Sequence, residues 1–199
     1  MPAVRILTAV FVLTIAAFAQ IDATSYGALV ATRVNEGLAL AKLVEDASDD
    51  LATAHRKLER RVSDDGRQSP QWQEVKETYV TSDKNLLALA RVLRAQATAD
   101  RKFLDQIAPG AIARRSIVDN LAASARFHQA VADALSSLSQ LLDKQRVALQ
   151  ALPDSVKDEP EFTYARRVRG ASAEAFDDAA QAARRRRTEY DKLARSLAP

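Results

Sequence analysis

The sequence predicts an all-α protein: an elongated, antiparallel four-helix bundle of coiled-coil character, preceded by an apolar N-terminal export or anchor segment. Three observations carry this expectation. Most of the helix-breaking residues sit between long uninterrupted stretches, at Gly66 and Pro70, Pro109 and Gly110, Pro153 and Pro160, and Pro199. The stretches between them carry apolar residues in a 4-3 alternation, which is the spacing of a coiled-coil seam. No stretch shows the period-two alternation of a half-buried strand.

The first element is the run Ile6 to Ile21, uncharged, preceded by Arg5 and followed by Asp22. It is slightly shorter than the roughly 17 to 25 residues of a spanning helix, and Ala17-Phe18-Ala19 supplies the small-x-small pattern read by a signal peptidase. Residues 1–21 are therefore expected to be a signal peptide or a signal anchor. Cleavage after Ala19 and retention in the membrane are both open. With Arg5 held on the cytoplasmic side, the remainder faces outward, into the periplasm in a bacterium.

Residues 22–199 form the helical domain, with helices expected at about 22–63, 70–108, 111–152 and 160–198, each near 60 Å long at about 1.5 Å per residue. Leu40, Val44, Ala47, Leu51, Ala54 and Leu58 make the seam of the first. The second opens with a Ser69 N-cap and Pro70 at the first helical position, and its stripe runs through Trp72, Val75, Tyr79, Leu86, Ala90, Leu93, Ala97, Leu104 and Ile107. The third has the most regular seam: Ile117, Leu121, Ser124, His128, Val131, Leu135, Leu138, Leu142, Gln145, Leu149 and Leu152. The fourth carries Phe162, Ala165, Phe176, Ala180, Ala183, Tyr190, Leu193 and Leu197, with Gly170 as its weak point. Short connections make neighbours antiparallel.

Composition excludes much chemistry. The 199 residues include no Cys and two His, so disulfides, thiolate nucleophiles and thiolate metal sites are ruled out. Neither His55 nor His128 follows a Glu by three residues, as a di-iron bundle requires, and no phosphate-binding glycine loop or nucleophile elbow occurs. No catalytic, cofactor-binding or metal-binding residue is expected, and the chain is read as a non-enzyme. His128 is read as a polar seam residue that sets register, and Trp72 and Tyr79 as core. The chain carries 29 basic and 26 acidic residues; removing residues 1–19 takes away Arg5 alone, so nucleic acid is not an expected partner.

Charge is nevertheless polarised along the expected rod. Arg101, Lys102 and the candidate membrane-proximal residues Arg114, Arg115, Lys192 and Arg195 fall at the end next to the N-terminal segment, each worth about 1 kcal/mol of attraction to anionic lipid. Asp64, Asp65, Asp154, Asp158 and Glu159 fall at the opposite tip, where the four Asp residues are candidates for docking a partner. The run Arg184, Arg185, Arg186 and Arg187 is a candidate anion-binding site. Four consecutive residues cover every face of a helix, so at least one must lie near the seam and snorkel outward, and Asp191 stands at pairing distance from Arg187 and Arg195.

Several local patterns resemble the LemA family of small bacterial proteins. Tyr26-Gly-Ala-Leu29-Val30, with Arg33 following, is similar to that family's Tyr-Asn-x-Leu-Val start. Arg60-Arg61, Asp64, Pro70, Val75-Lys76 and Tyr79 resemble its double-Arg, Asp, Pro and Val-Lys-Gly-Tyr region with altered spacing. Pro153-Asp154 leading to Phe162, and Tyr190-Asp191 before Pro199, resemble its closing stretch. Gly27 and Asp191 replace the usual Asn, the Leu-Ile-Pro-Asn-Leu run is missing, and so is the Trp of the first helix. The resemblance implies a membrane-anchored, non-enzymatic helical bundle and supplies no catalytic residues.

The functional expectation is a structural or protein-interaction module of the bacterial cell envelope, in the inner membrane with its bundle in the periplasm, or exported to the periplasm. Its partners would be the membrane, through residues 6–21 if uncleaved, and an envelope protein. The alternative is a periplasmic binding protein for an anionic ligand (lipid headgroup, lipopolysaccharide or cell-wall polymer) through the Arg-rich fourth helix. Homo-oligomerisation is open, because Ala-rich seams close equally within one chain or between chains.

Overall fold

The computed structural model describes residues 23–107 and 112–198, and these are all-α, with no strand among them. Four long helices, α1 (Ala23–Glu59), α3 (Pro70–Gln106), α4 (Arg114–Gln150) and α6 (Pro160–Leu197), alternate with two one-turn helices, α2 (Asp64–Arg67) and α5 (Asp154–Lys157). The apolar run from Ile6 to Ile21 lies outside the described residues. No helix among the described residues is long and apolar enough to cross a membrane.

The one-turn helices were not expected; each is the turn of a hairpin. Ser63 caps α2 by accepting from the Gly66 amide, and Ser69 caps α3 by accepting from the Trp72 amide, with Pro70 beginning the helix. Gly66 is required by close approach: a Cβ there would lie 2.9 Å from Val62 Cγ1 and 3.1 Å from Ser63 Oγ. Gly170 differs, since a Cβ at that mid-helix position would meet nothing within 4 Å. Gly170→Ala is therefore expected to stabilise the fold by about 0.5–1 kcal/mol, read as a higher urea midpoint at unchanged slope.

Side-chain pairings give the helix directions. Arg33, Glu45, Ser48 and His55 of α1 meet Asp100, Arg94, Asp83 and Tyr79 of α3, so the two run antiparallel. Arg114, Gln129 and Ser136 of α4 meet Leu197, Arg187 and Arg184 of α6 in the same sense. Contacts are most extensive within these two hairpins, α1 with α3 and α4 with α6, and sparser between hairpins, where α3 meets α4 and α1 meets α6.

The core forms three apolar blocks. The middle block is built on Val44, Leu86, Leu93, Leu135, Leu142 and Phe176. Trp72, Leu58, Leu149, Leu152 and Phe162 fill the block near α2 and α5, and Tyr26, Val30, Leu121 and Tyr190 fill the block at the other end. The third helix's seam is buried at every expected position but one; His128 is partly exposed.

Candidate functional site

Between the middle block and the end block containing Tyr26, every long helix places a buried polar side chain at the same level: Arg33 on α1, Asp100 on α3, Ser124 on α4 and Arg186 on α6. Each occupies a stripe position, so helical periodicity brings them together although they are far apart in sequence.

Arg33 is the centre of this layer. Its guanidinium pairs with Asp100 Oδ1 at 2.7 Å, donates to Asn120 Oδ1 at 2.9 Å and donates to Ser124 Oγ. Asn120 Oδ1 also accepts from the Tyr26 hydroxyl at 2.5 Å, and Asp100 accepts from Gln96 at 3.3 Å. The Arg33 guanidinium carbon stands 5.9 Å from the Tyr190 ring centre. Beside this group, Arg186 pairs with Glu36 at 2.6 Å and with Glu189 at 2.8 Å. Arg33 and Glu36 belong to the first hairpin, whereas Asn120, Ser124 and Arg186 belong to the second. The layer is thus a polar clasp across the seam between hairpins.

Burial dominates the electrostatics of this layer. It pushes the Tyr26 phenol up to about 12, against the pull of Arg33, and raises Tyr190 further in the same direction. It also raises the Glu36 carboxyl, with Arg186 opposing. His128 Nδ1 lies 2.8 Å from the Ser124 carbonyl; a carbonyl only accepts, so Nδ1 carries the proton in the neutral ring. Burial lowers the His128 pKa, and Arg33 and Arg186 lower it too.

His55 occupies a second environment, stacked on Tyr79 at 4.4 Å and on Trp72 at 5.3 Å. Burial depresses its pKa as well. It borders a cavity of about 10 Å³, lined also by Leu58, Val75 and Gln145, too small for an organic ligand.

Both histidines have folded pKa values below the ordinary 6.5, so the unfolded chain binds more protons than the folded one in that range. Stability then rises with pH: the full contribution is present above about 6.5 and is lost as the pH falls through 6.5 toward the depressed folded values. The urea midpoint is expected to fall between pH 7.5 and 5.5, and His128→Gln is expected to flatten that slope.

The layer's hydroxyl and imidazole are engaged, while the buried Arg33 Nε has no hydrogen-bond partner among the described residues. The Ser124 hydroxyl donates to the Asn120 carbonyl at 2.8 Å and accepts from Arg33, while the His128 Nδ1 proton is directed at a carbonyl. No base is aligned on a nucleophile here. Among the described residues no grouping of His, Asp and Glu could hold a metal ion.

The candidates drawn from sequence are placed as follows. Arg184, Arg185, Arg186 and Arg187 do not converge: Arg184 donates to Ser136, Arg185 is exposed, Arg186 is buried in the clasp, and Arg187 pairs with Asp191 at 3.3 Å and donates to Gln129. Arg186 is thus the member of the run that lies on the seam. Arg114, Arg115, Lys192 and Arg195 are all exposed, at the start of α4 and the end of α6, which meet where Arg114 donates to the Leu197 carbonyl at 2.7 Å. Asp64, Asp65, Asp154 and Asp158 are exposed around α2 and α5, but cations are interspersed: Arg67 pairs with Asp64, Lys157 with Asp154, and Arg61 with Glu159 and Glu161.

Sequence reasoning did not single out Asp100, Asn120 or Glu36, nor Arg33 as a buried group. The available signal was position: Arg33 follows Val30 by three residues and Asp100 follows Ala97 by three, so each continues its helix's stripe. No protein family, no curated protein and no solved structure matches the chain.

Proposed function

We propose that the chain is an antiparallel four-helix bundle that acts as a non-enzymatic interaction module of the bacterial cell envelope, tethered or exported by residues 6–21, as the LemA resemblance implies. The observation that supports this reading best is the closed clasp. The groups with chemical potential, Arg33, Asp100, Ser124, His128, Tyr26 and Tyr190, are engaged with one another or buried among the seams, which leaves the long outer helix faces as the working surface.

The test is the N-terminus and the fractionation of the expressed protein, by intact mass and membrane extraction. An uncleaved chain that needs detergent is the expected result for a tethered module. A mature chain starting at Gln20 and free of membranes would replace tethering with export. A cytoplasmic chain with residues 1–21 intact would overturn the envelope reading.

A further inference from the structure

The outer surface of the first hairpin carries two patterned rows. On α3, Val80, Lys84, Leu87 and Arg91 follow one another at 4-3-4 spacing, so they form one row along the helix. All four are exposed, and Val80 and Leu87 expose 56% and 39% of their surface. On α1, Lys42, Asp46, Asp49 and Thr53 form the corresponding row, and both acids are exposed. Lys42 pairs with Asp46 at 2.9 Å. Asp49, Arg56, Glu77, Lys84 and Arg91 enter no ion pair among the described residues. Exposed Arg56 continues the α1 row and exposed Glu77 continues the α3 row, each with the opposite sign, so the two rows carry complementary charges, and Leu87 lies between the two cations of α3.

The register fixes what this surface can meet. Arg33 pairs with Asp100 and His55 stacks on Tyr79, so in one copy Asp49 stands level with Lys84, and Thr53 stands level with Val80. A twofold rotation about an axis parallel to the helices preserves height. It lays α1 of one copy over α3 of the other, and brings Asp49 against Lys84 and Arg56 against Glu77 on both sides of the axis. A twofold axis perpendicular to the helices would instead lay α1 on α1 and α3 on α3, and would not bring Asp49 against Lys84.

Resting on the reading of the chain as an interaction module, we propose that the outer face of the α1–α3 hairpin docks a second copy of this chain, α1 against α3, about a twofold axis parallel to the helices. Val80 and Leu87 become covered, and the Asp49–Lys84 and Arg56–Glu77 pairs select the pairing. Lys42 comes level with Arg91 and limits the attraction there. Three turns of two helices cover roughly 350 Å² per copy, which places the contact in the weak, transient class. Both copies then keep their N-termini at the same end, as two chains tethered to one membrane need.

The chain has no Cys, so single thiols report the contact in the full-length protein, in membranes or in solution. A Thr53→Cys chain mixed with a Val80→Cys chain, under a mild added oxidant, is expected to form the mixed disulfide several-fold faster than Thr53→Cys mixed with a Val147→Cys control on α4. Raising the ionic strength from about 0.01 M to about 1 M shortens the Debye length from roughly 30 Å to roughly 3 Å and should suppress the excess. Adding K84E to the Val80→Cys chain should suppress it, and adding D49K to the Thr53→Cys partner should restore it. Equal rates for the two mixtures, or an excess indifferent to these charge changes, would overturn the proposal. The assay reads contact between copies in any compartment, so a failed fractionation test leaves its outcome independent.

Discussion

Replacing Arg33 with Met is expected to lower the stability of the fold by about 3–5 kcal/mol, because it strands a buried carboxylate rather than merely removing a bond. Asp100 is 5% exposed, and its ion pair is with Arg33. Without the guanidinium, Asn120 Oδ1 and Ser124 Oγ also lose a donor that spans the two hairpins. Urea unfolding followed by circular dichroism measures the loss. The decisive comparison is the double variant Arg33→Met with Asp100→Leu, which removes both charges and should recover much of the stability, since apolar replacement of a whole buried pair is often neutral or favourable. If the single variant cost less than about 1 kcal/mol, as exposed pairs do, Arg33 would not be a desolvated clasp.

Phe176→Ala is the second large expected effect, also about 3–5 kcal/mol, for a different reason: it opens a cavity. Phe176 is fully buried in the middle block, among Val44, Leu86, Leu93 and Leu135. Those neighbours project from long helices pinned at both ends of the core, so the walls have little freedom to collapse. Trp72, the sole tryptophan, lies in a different block and reports the unfolding by fluorescence without being touched. Phe176→Leu keeps most of the volume and should cost less. Against a total stability of about 5–15 kcal/mol, either Arg33→Met or Phe176→Ala would bring the chain close to its unfolding threshold.

The helices were legible in the sequence because their apolar stripes are long and their caps are conventional. The seam of α4 could be written residue by residue, and Ser69 with Pro70 marked the start of α3 to the residue. The clasp was much less legible. Arg33, Asp100 and Arg186 occupy stripe positions, but a charged residue at such a position reads as an interruption of the pattern, and only its partners on other helices make its burial tolerable. Those partners are fixed by register between helices, which a single helix's periodicity does not contain. The Arg184–Arg187 run illustrates the boundary: geometry required one of the four to face the seam, and the position of Glu36 on α1 made it Arg186. The acidic tip was legible as composition, while the neutralising role of Arg67, Lys157 and Arg61 depends on the turns of α2 and α5.

The unequal contact between helices has a consequence for how the chain reaches its fold. Each hairpin joins helices adjacent in sequence, so the extensive α1–α3 and α4–α6 surfaces close with modest chain entropy and are expected to form early. Docking the hairpins comes afterwards and must dehydrate Arg33, Asp100 and Arg186 before the clasp's hydrogen bonds repay it. With the barrier expected at the docking of the two hairpins, Arg33→Met should slow folding less than it speeds unfolding; an equal effect on the two rates in stopped-flow kinetics would show that the clasp is already forming in the transition state.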